Sequence, residues 1–581
     1  MLMGLHFIFG AAGTGKTRRC CEEIRDYVTG KKGRSAFFLV PDQETYTAER
    51  MLADIFPGHG FIDATVCGFS RLAYRVFNEL RSPVQDALSP LGQQIIISRI
   101  LAEHRDELQM LMKISSQPHF AENLMNLFHQ LDMFCISETA FHEASRAEEG
   151  TPLGRKLADL SLLYKNYHDY LHSRFSYEGS LFDLLAGEIP KSEILRRSRI
   201  WIDGFNGMTP QKIRIVSALI RTAEEVTFTI PLPDAKEGLS NEIFARPANL
   251  YALLSEKEPR FDSVTLPERK RFRCPRLRCL AADYFQNVPS PCPLPKETSP
   301  VPEKGIHIVS APDSQAEADF ISRRILSLVR DKNLRWRDIL VLLRSADTYT
   351  DPLERSFSRY GIPVFTDEKQ PMNNHPLVML LDGLLHFIKA ESRGKNRGFT
   401  REHIFRILKT EIFPSFPADT IDKLENYVLK YHIRFSTWQK PWVFRDYRSI
   451  DQEPAPLSDK EITKQNTANT WREKVLSLLN PFLAGWKGAL SAEDKCAFLY
   501  RWLTEQQIPE TLSVWDELEF EKTKKRPHLQ VWKKVLSLLD EIVHVTGKDI
   551  LPEEELCGIL ADGLSALTFS MIPPTLDHVT V

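Results

Sequence analysis

Residues 5–17 read LHFIFGAAGTGKT, and the rest of the chain is organised around them. Five mostly apolar residues (5–9) predict a short buried strand. Gly10, Ala11, Ala12, Gly13, Thr14, Gly15, Lys16 and Thr17 then satisfy G-x-x-x-x-G-K-[ST] at every fixed position, and a helical pattern follows over 18–28. Strand, glycine loop and helix together turn a motif match into a phosphate-binding prediction. Glycines let backbone N–H groups wrap phosphates, and the helix N-terminus adds partial positive charge. Lys16 is expected to reach the β- and γ-phosphates, and Thr17 to hold Mg²⁺. The chain is therefore expected to bind ATP.

At 581 residues the chain should hold several domains. A hydrophobic content of 43% and a charged content of 26% are those of a soluble globular protein. Net charge is −2, so any nucleic-acid contact must come from local patches. No apolar run is long enough for a transmembrane helix. The apolar N-terminus lacks a basic leader and runs straight into the phosphate loop, unlike a signal peptide. The nine cysteines are odd in number and have no C-x-x-C pair, which suits reduced thiols and a cytoplasmic location. Cys274, Cys279 and Cys292 lie closest together but lack a convincing fourth metal ligand.

Outward from the loop, residues 36–40 (AFFLV) predict a second buried strand and residues near Thr65 a third. Alternation of strands with helices argues for an α/β fold with a parallel sheet. From about 90 to 194 long amphipathic segments (91–103, 119–134, 152–175) carry no strand signal and read as a helical insertion. Strand patterns return at 199–203 and 226–230. A basic run, 269–278, has six Lys or Arg in ten positions; it suits either DNA phosphate or a solvated loop. The proline-rich stretch after it reads as a linker. A second α/β block is expected from a strand at 306–309, a helix at 315–329, a strand at 339–343 and a turn at 360–363. Residues 375–562 read as mainly helical, and 576–581 as a strand. A chain that stops inside a strand reads as a fragment or a truncated product.

A nucleotide site needs a second acid for Mg²⁺, and Asp203, at the end of the strand 200–202, fits that role or is an ordinary strand-end Asp. Hydrolysing motors place a Glu next to that Asp to activate water; here Gly204 follows. Loss of a positioned base costs about 10²–10⁴-fold in rate, so ATP binding with weak or absent hydrolysis is expected. Arg344, closing the strand 339–343, suits an arginine finger almost as well as a surface position. Gln43, Thr45, Phe69, Arg71 and Tyr74 follow the second and third strands, where open α/β sheets bind ligands. Aromatics that stack bases beside Arg and amide groups are what single-strand recognition needs. Phe69 and Tyr74 read equally well as packing residues.

The ordered series GAAGTGKT, FLVPDQETYTAE (38–49), GFSRLAYRVF (68–77) and IDGFNGMTPQK (202–212) resembles the AddB family of the bacterial AddAB helicase–nuclease, and more distantly UvrD-type superfamily 1 helicases. Glu317-Ala318, RDILVLLR (337–344) and GIPVFTD (361–367) extend the resemblance along the chain. It implies two RecA-like P-loop domains, each with a helical insertion. The implied boundaries are 1–85 and 198–285 for the first domain, 86–197 for its insertion and 286–303 for the linker. The second domain would take 304–375 and, after an insertion at 376–572, a returning strand at 573–581. It also implies a heterodimer with an AddA-type motor subunit, action on DNA ends and single-stranded DNA in break repair, and a Chi-reading pocket matching Gln43, Thr45, Phe69, Arg71 and Tyr74. The helicase half of this family is inactive, consistent with Gly204 and with Pro231–Asp234 standing where active relatives carry a GDxxQ-like element. The family's nuclease carboxylates and 4Fe–4S cysteines belong to a C-terminal part that this chain does not contain, so these residues alone are not expected to cut DNA. The competing expectation is a self-sufficient superfamily 1 helicase; DNA-stimulated ATP turnover would discriminate it. A P-loop kinase would explain the first thirty residues only.

Overall fold

A computed structural model describes residues 4–30, 35–56, 58, 60–82, 88–115, 117, 120–174, 178–234, 242–272, 274–283, 305–365, 371–443, 458–523, 526–569 and 577–581. The chain divides into two compact units: Met1–Leu88, Asp106–Met112 and Glu122–Val309, then Ser89–Arg105, Lys113–Ala121 and Ser310–Val581.

The first unit is built on a parallel six-stranded sheet. Its strands are β1 (Gly4–Phe9), β2 (Ser35–Leu39), β3 (Ala64–Cys67), β4 (Ser198–Ile202), β5 (Glu225–Ile230) and β6 (Phe261–Thr265), in spatial order β3-β2-β4-β5-β1-β6. Successive side chains of a strand point to opposite faces, and both faces here are covered, so the central strands read as near-continuous apolar runs. Leu5, Phe7 and Phe9 of β1, Phe37 and Leu39 of β2, and Ile200 and Ile202 of β4 enter one core. Ile8, Ala36, Phe38 and Trp201 enter the other. Each fully buried side chain of this size contributes roughly 1.5–3 kcal/mol. Three helices follow the first three strands directly: α1 (Lys16–Gly30), α2 (Thr45–Ile55) and α3 (Phe69–Leu80). The α/β expectation with a parallel sheet holds for this unit. β6 escaped the sequence reading: it is a largely polar edge strand (FDSVT), with its Asp262, Ser263 and Thr265 exposed.

The helical stretch between β3 and β4 is present as Phe120–Met133, Glu138–Ala147 and Pro152–Arg174, which lie almost entirely in the first unit. Helix α4 (Pro90–Glu103) belongs to the second unit instead. There it packs against the helices Pro527–Thr546 and Glu553–Ser565. Ser89 N–H donates to Glu541 Oε1 (3.2 Å), and Arg99 pairs with Asp549.

The rest of the second unit is largely helical. Helices Ser314–Lys332 and Ala346–Tyr360 pack over a small sheet of β7 (Val364–Phe365) parallel to β8 (Val579–Thr580), around Ile325, Leu353, Phe357 and Val579. Two expected strands are corrected. Residues 339–343 make only a single bridge, Leu340 with Thr580, plus Val341 N–H to Thr580 O at 2.9 Å. Residues 306–309 form no strand, and Ile308 is 96% exposed. An apolar run supplies strand propensity but not a neighbour to bond, and among the described residues these runs find almost none. The linker of 286–303 lies outside the described residues. No helix among the described residues is long and apolar enough to cross a membrane. Cys20, Cys21, Cys67, Cys135, Cys274, Cys496 and Cys557 are free thiols; Cys279 is disulfide-bonded, which corrects the reduced reading for that residue.

Candidate functional site

β1 delivers the phosphate loop at the carboxyl edge of the sheet, and α1 begins at Lys16 itself. Gly13 and Gly15 adopt φ of 83° and 91°, a region open to glycine at little cost. Thr14 folds back, its Oγ1 donating to Ala11 O at 3.0 Å. The Lys16 ammonium sits inside the loop and donates to Gly10 O (2.7 Å) and Ala11 O (3.1 Å). A side chain at Gly10 would collide with Thr14, whereas the space beside Gly15 is open.

Asp203 ends β4, with β5 between it and β1. It is buried, its N–H donates to Leu39 O (3.0 Å), and one carboxylate oxygen accepts from Thr229 of β5. Burial lowers the pKa of Lys16, Asp203 raises it, and Arg271 lowers it further.

Arg271 comes from the basic run, which the structure places beside the phosphate loop. After β6 the chain hydrogen-bonds across the phosphate loop: Leu266 N–H to Phe9 O (2.8 Å), Lys270 N–H to Gly13 O (2.8 Å) and Arg271 N–H to Gly13 O (3.1 Å). A Cβ on Gly13 would lie 3.0 Å from Arg271 Cβ and 3.1 Å from the Phe272 ring. A cavity of about 410 Å³ opens beside the loop, lined among others by Ala11, Ala12, Asn206, Arg246, Arg269 and Phe272. Arg271 has no ion pair among the described residues. Two cations gathered at a glycine loop and helix N-terminus fit a polyanion. Thr17, in the first turn of α1, and Asp203 supply the hydroxyl and carboxylate oxygens that suit Mg²⁺. Arg246, Arg269, Arg271 and Phe272 were not singled out from the sequence. The basic run was visible, but the polar edge strand that carries it to the loop was not.

On the same sheet edge, β2 and β3 end beside one another. Gln43 lies in the turn Asp42–Glu44 after β2, and Thr45 begins α2; Phe69, Arg71 and Tyr74 lie on the first turns of α3. The carboxylate of Asp42 fills the place a side chain at Gly68 would need, joining the two turns. Gln43, Arg71 and Tyr74 are exposed, and Arg71 is 3.7 Å from Glu49. Thr45 Oγ1 donates to Asp42 O (2.9 Å). Phe69 is 2% exposed and packs on Phe205, with Lys212 over its ring, so its faces are covered in this conformation. Arg344 lies in the second unit, exposed, after the bridge at Leu340. Among the described residues no cluster of three or more His, Cys, Asp or Glu suits a metal.

Comparison with known proteins gives this geometry its relatives. The family model described as "ADDB, N-terminal" matches residues 7–280, from β1 through the segment that closes the phosphate loop. Over its whole length the chain is 32% identical to an ATP-dependent helicase/deoxyribonuclease subunit of Pelotomaculum thermopropionicum, covering 50% of that protein. It is 33% identical to the subunit of the same name in Heliobacterium modesticaldum and 32% to that in Geobacillus kaustophilus, covering 48% and 51% of them. The chain thus spans about half the length of the curated relatives it matches. The family model over the sheet and the similarity along the whole chain agree: what this chain is similar to is the AddB family.

Proposed function

We propose that this chain is the nucleotide- and DNA-binding part of a subunit of a heterodimeric ATP-dependent helicase–exonuclease that processes DNA double-strand ends for recombinational repair. It binds ATP through residues 10–17, with Lys16 on the terminal phosphates and Thr17 and Asp203 on Mg²⁺. Arg269 and Arg271 add positive charge from the segment after β6. Single-stranded DNA runs along the neighbouring strand ends, where Gln43, Thr45, Arg71 and Tyr74 contact it and, with Phe69, read Chi. The second unit supplies a second RecA-like domain with Arg344 as its arginine finger, and the partner is an AddA-type motor subunit. The observation that carries this reading is the phosphate loop, buried Asp203 and the 266–272 segment meeting at one sheet edge. Turnover by this chain is slow.

The test is nucleotide binding and ATP turnover by the purified chain, with and without single-stranded DNA. The expected outcome is nucleotide binding that Lys16→Ala abolishes, slow turnover that DNA does not accelerate, and DNA binding that weakens steeply with salt. At a nucleotide concentration a hundred times Kd, wild type should gain about 2.7 kcal/mol of stability and Lys16→Ala none. Fast DNA-stimulated turnover would instead make the chain a motor in its own right.

A further inference from the structure

Gly204, the residue that takes the place of the expected catalytic acid, stands where a side chain is strained and crowded. Its φ is +85°, and a Cβ there would lie 2.8 Å from Glu44 Oε2 and 3.0 Å from Pro41 Cδ. A carboxylate already stands at that point, delivered by the turn after β2. Glu44 is the N-cap residue of α2, but its side chain makes no capping hydrogen bond, and its carboxylate has no hydrogen bond or ion pair among the described residues. It is an exposed acid held next to the one residue that follows Asp203. Burial and the charge of Asp203 raise its pKa. Asp203 in turn acts on Lys16, so Glu44, Asp203 and Lys16 form one chain of interacting charges from the turn to the phosphate loop.

We propose that Glu44 is the general base of this nucleotide site, supplied from the second strand instead of from position 204. Its carboxylate accepts a proton from water as the water oxygen bonds to the γ-phosphorus. The bond from that phosphorus to the β,γ-bridging oxygen breaks, and its electron pair leaves on ADP. The proton passes from Glu44 to solvent after inorganic phosphate departs. This assignment rests on the nucleotide reading of the first unit and adds a residue to it. Glu44 also stands between Gln43 and Thr45, so the turn that serves the base carries two of the DNA-contact candidates.

The experiment compares wild type, Glu44→Gln and Lys16→Ala in the full chain. Three quantities are read: steady-state turnover, affinity for a non-hydrolysable ATP analogue, and the extra affinity that aluminium fluoride, a mimic of the transferring phosphoryl group, gives to ADP. Expected is a slow Lys16-dependent turnover that falls roughly a hundredfold in Glu44→Gln. Analogue affinity stays within about twofold, while the aluminium fluoride gain disappears, because a base is felt in the transition state and not in the ground state. An unchanged rate in Glu44→Gln, an aluminium fluoride gain that survives the substitution, or the absence of any Lys16-dependent turnover in wild type overturns the assignment. In each of those cases, analogue binding that Lys16→Ala abolishes leaves the nucleotide site standing. Failure of wild type to bind the analogue overturns the site reading itself.

Discussion

At the scale of single residues the first unit is governed by backbone positions that only glycine fills and by charges that lack a counter-ion. Lys16 and Arg271 lie close enough to disfavour one another, and burial adds to the cost of the ammonium. A triphosphate removes that cost, which is why nucleotide should stabilise the fold through Lys16. Gly204 makes a sharper case. Any side chain there meets both an unfavourable φ and the Glu44–Pro41 turn. Gly204→Ala is expected to lower the unfolding free energy of the first unit by about 1–2 kcal/mol, measured by urea unfolding, through left-handed backbone strain and displacement of Glu44. Gly15→Ala is a useful contrast, since its Cβ would meet nothing within 4 Å and only its φ of 91° is strained.

At the scale of elements, a helix cap in the second unit carries a pH dependence. His375 precedes the helix Pro376–Ser392, and its Nδ1 accepts from Leu377 N–H at 3.2 Å. Nε2 must then hold the ring proton and donate to His528 Nδ1 at 2.9 Å. Burial and His528 push the His375 pKa down to about 4, against a smaller upward pull from Asp516. The unfolded chain binds a proton near pH 6.5 and the folded unit does not, so stability is full above that value and is lost as pH falls towards 4. The loss approaches roughly 3 kcal/mol if the unit stays folded that far. His375→Asn, which retains a capping oxygen, should leave stability at pH 7 within about 1 kcal/mol and flatten the decline between pH 6.5 and 4, as read by urea unfolding.

Elements also show what the sequence made legible. The phosphate loop, the first five strands of the first sheet and most long helices were readable because apolar period and glycine spacing are local signals. β6 was not: an edge strand with one bonded neighbour needs few apolar residues, and Asp262 and Ser263, adjacent and both exposed, read like a loop. The opposite error occurred at 306–309 and 339–343, where apolar runs promised strands but find at most a single bridge among the described residues. Of the candidate site, Lys16, Thr17 and Asp203 were visible as motif positions. Arg271 and Glu44 were not: a hydrogen-bonded crossing brings Arg271 to the loop, and a turn brings Glu44 beside Gly204, only in space.

At the scale of the whole molecule, helix α4 shows why order along the chain is a poor guide to which core a segment joins. Its sequence PLGQQIIISRILAE buries Ile95, Ile96, Ile97, Ile100 and Leu101, so apolar side chains leave it in more than one direction. A helix of that kind must be enclosed by several neighbours. The sequence shows that it is enclosed, but not that its neighbours are the helices Pro527–Thr546 and Glu553–Ser565, more than four hundred residues on. Contacts at that separation are costly in loop closure only logarithmically, so the fold can use them. Ile96 is fully buried, and Ile96→Ala should remove about 2–5 kcal/mol from the second unit. Hydrogen exchange locates the effect: amides of 527–546 and 553–565 should lose protection, while those of β1, β4 and β5 keep theirs. Loss of protection in the sheet, with the distant helices unaffected, would return α4 to the first unit and make the early helical stretch a single insertion after all.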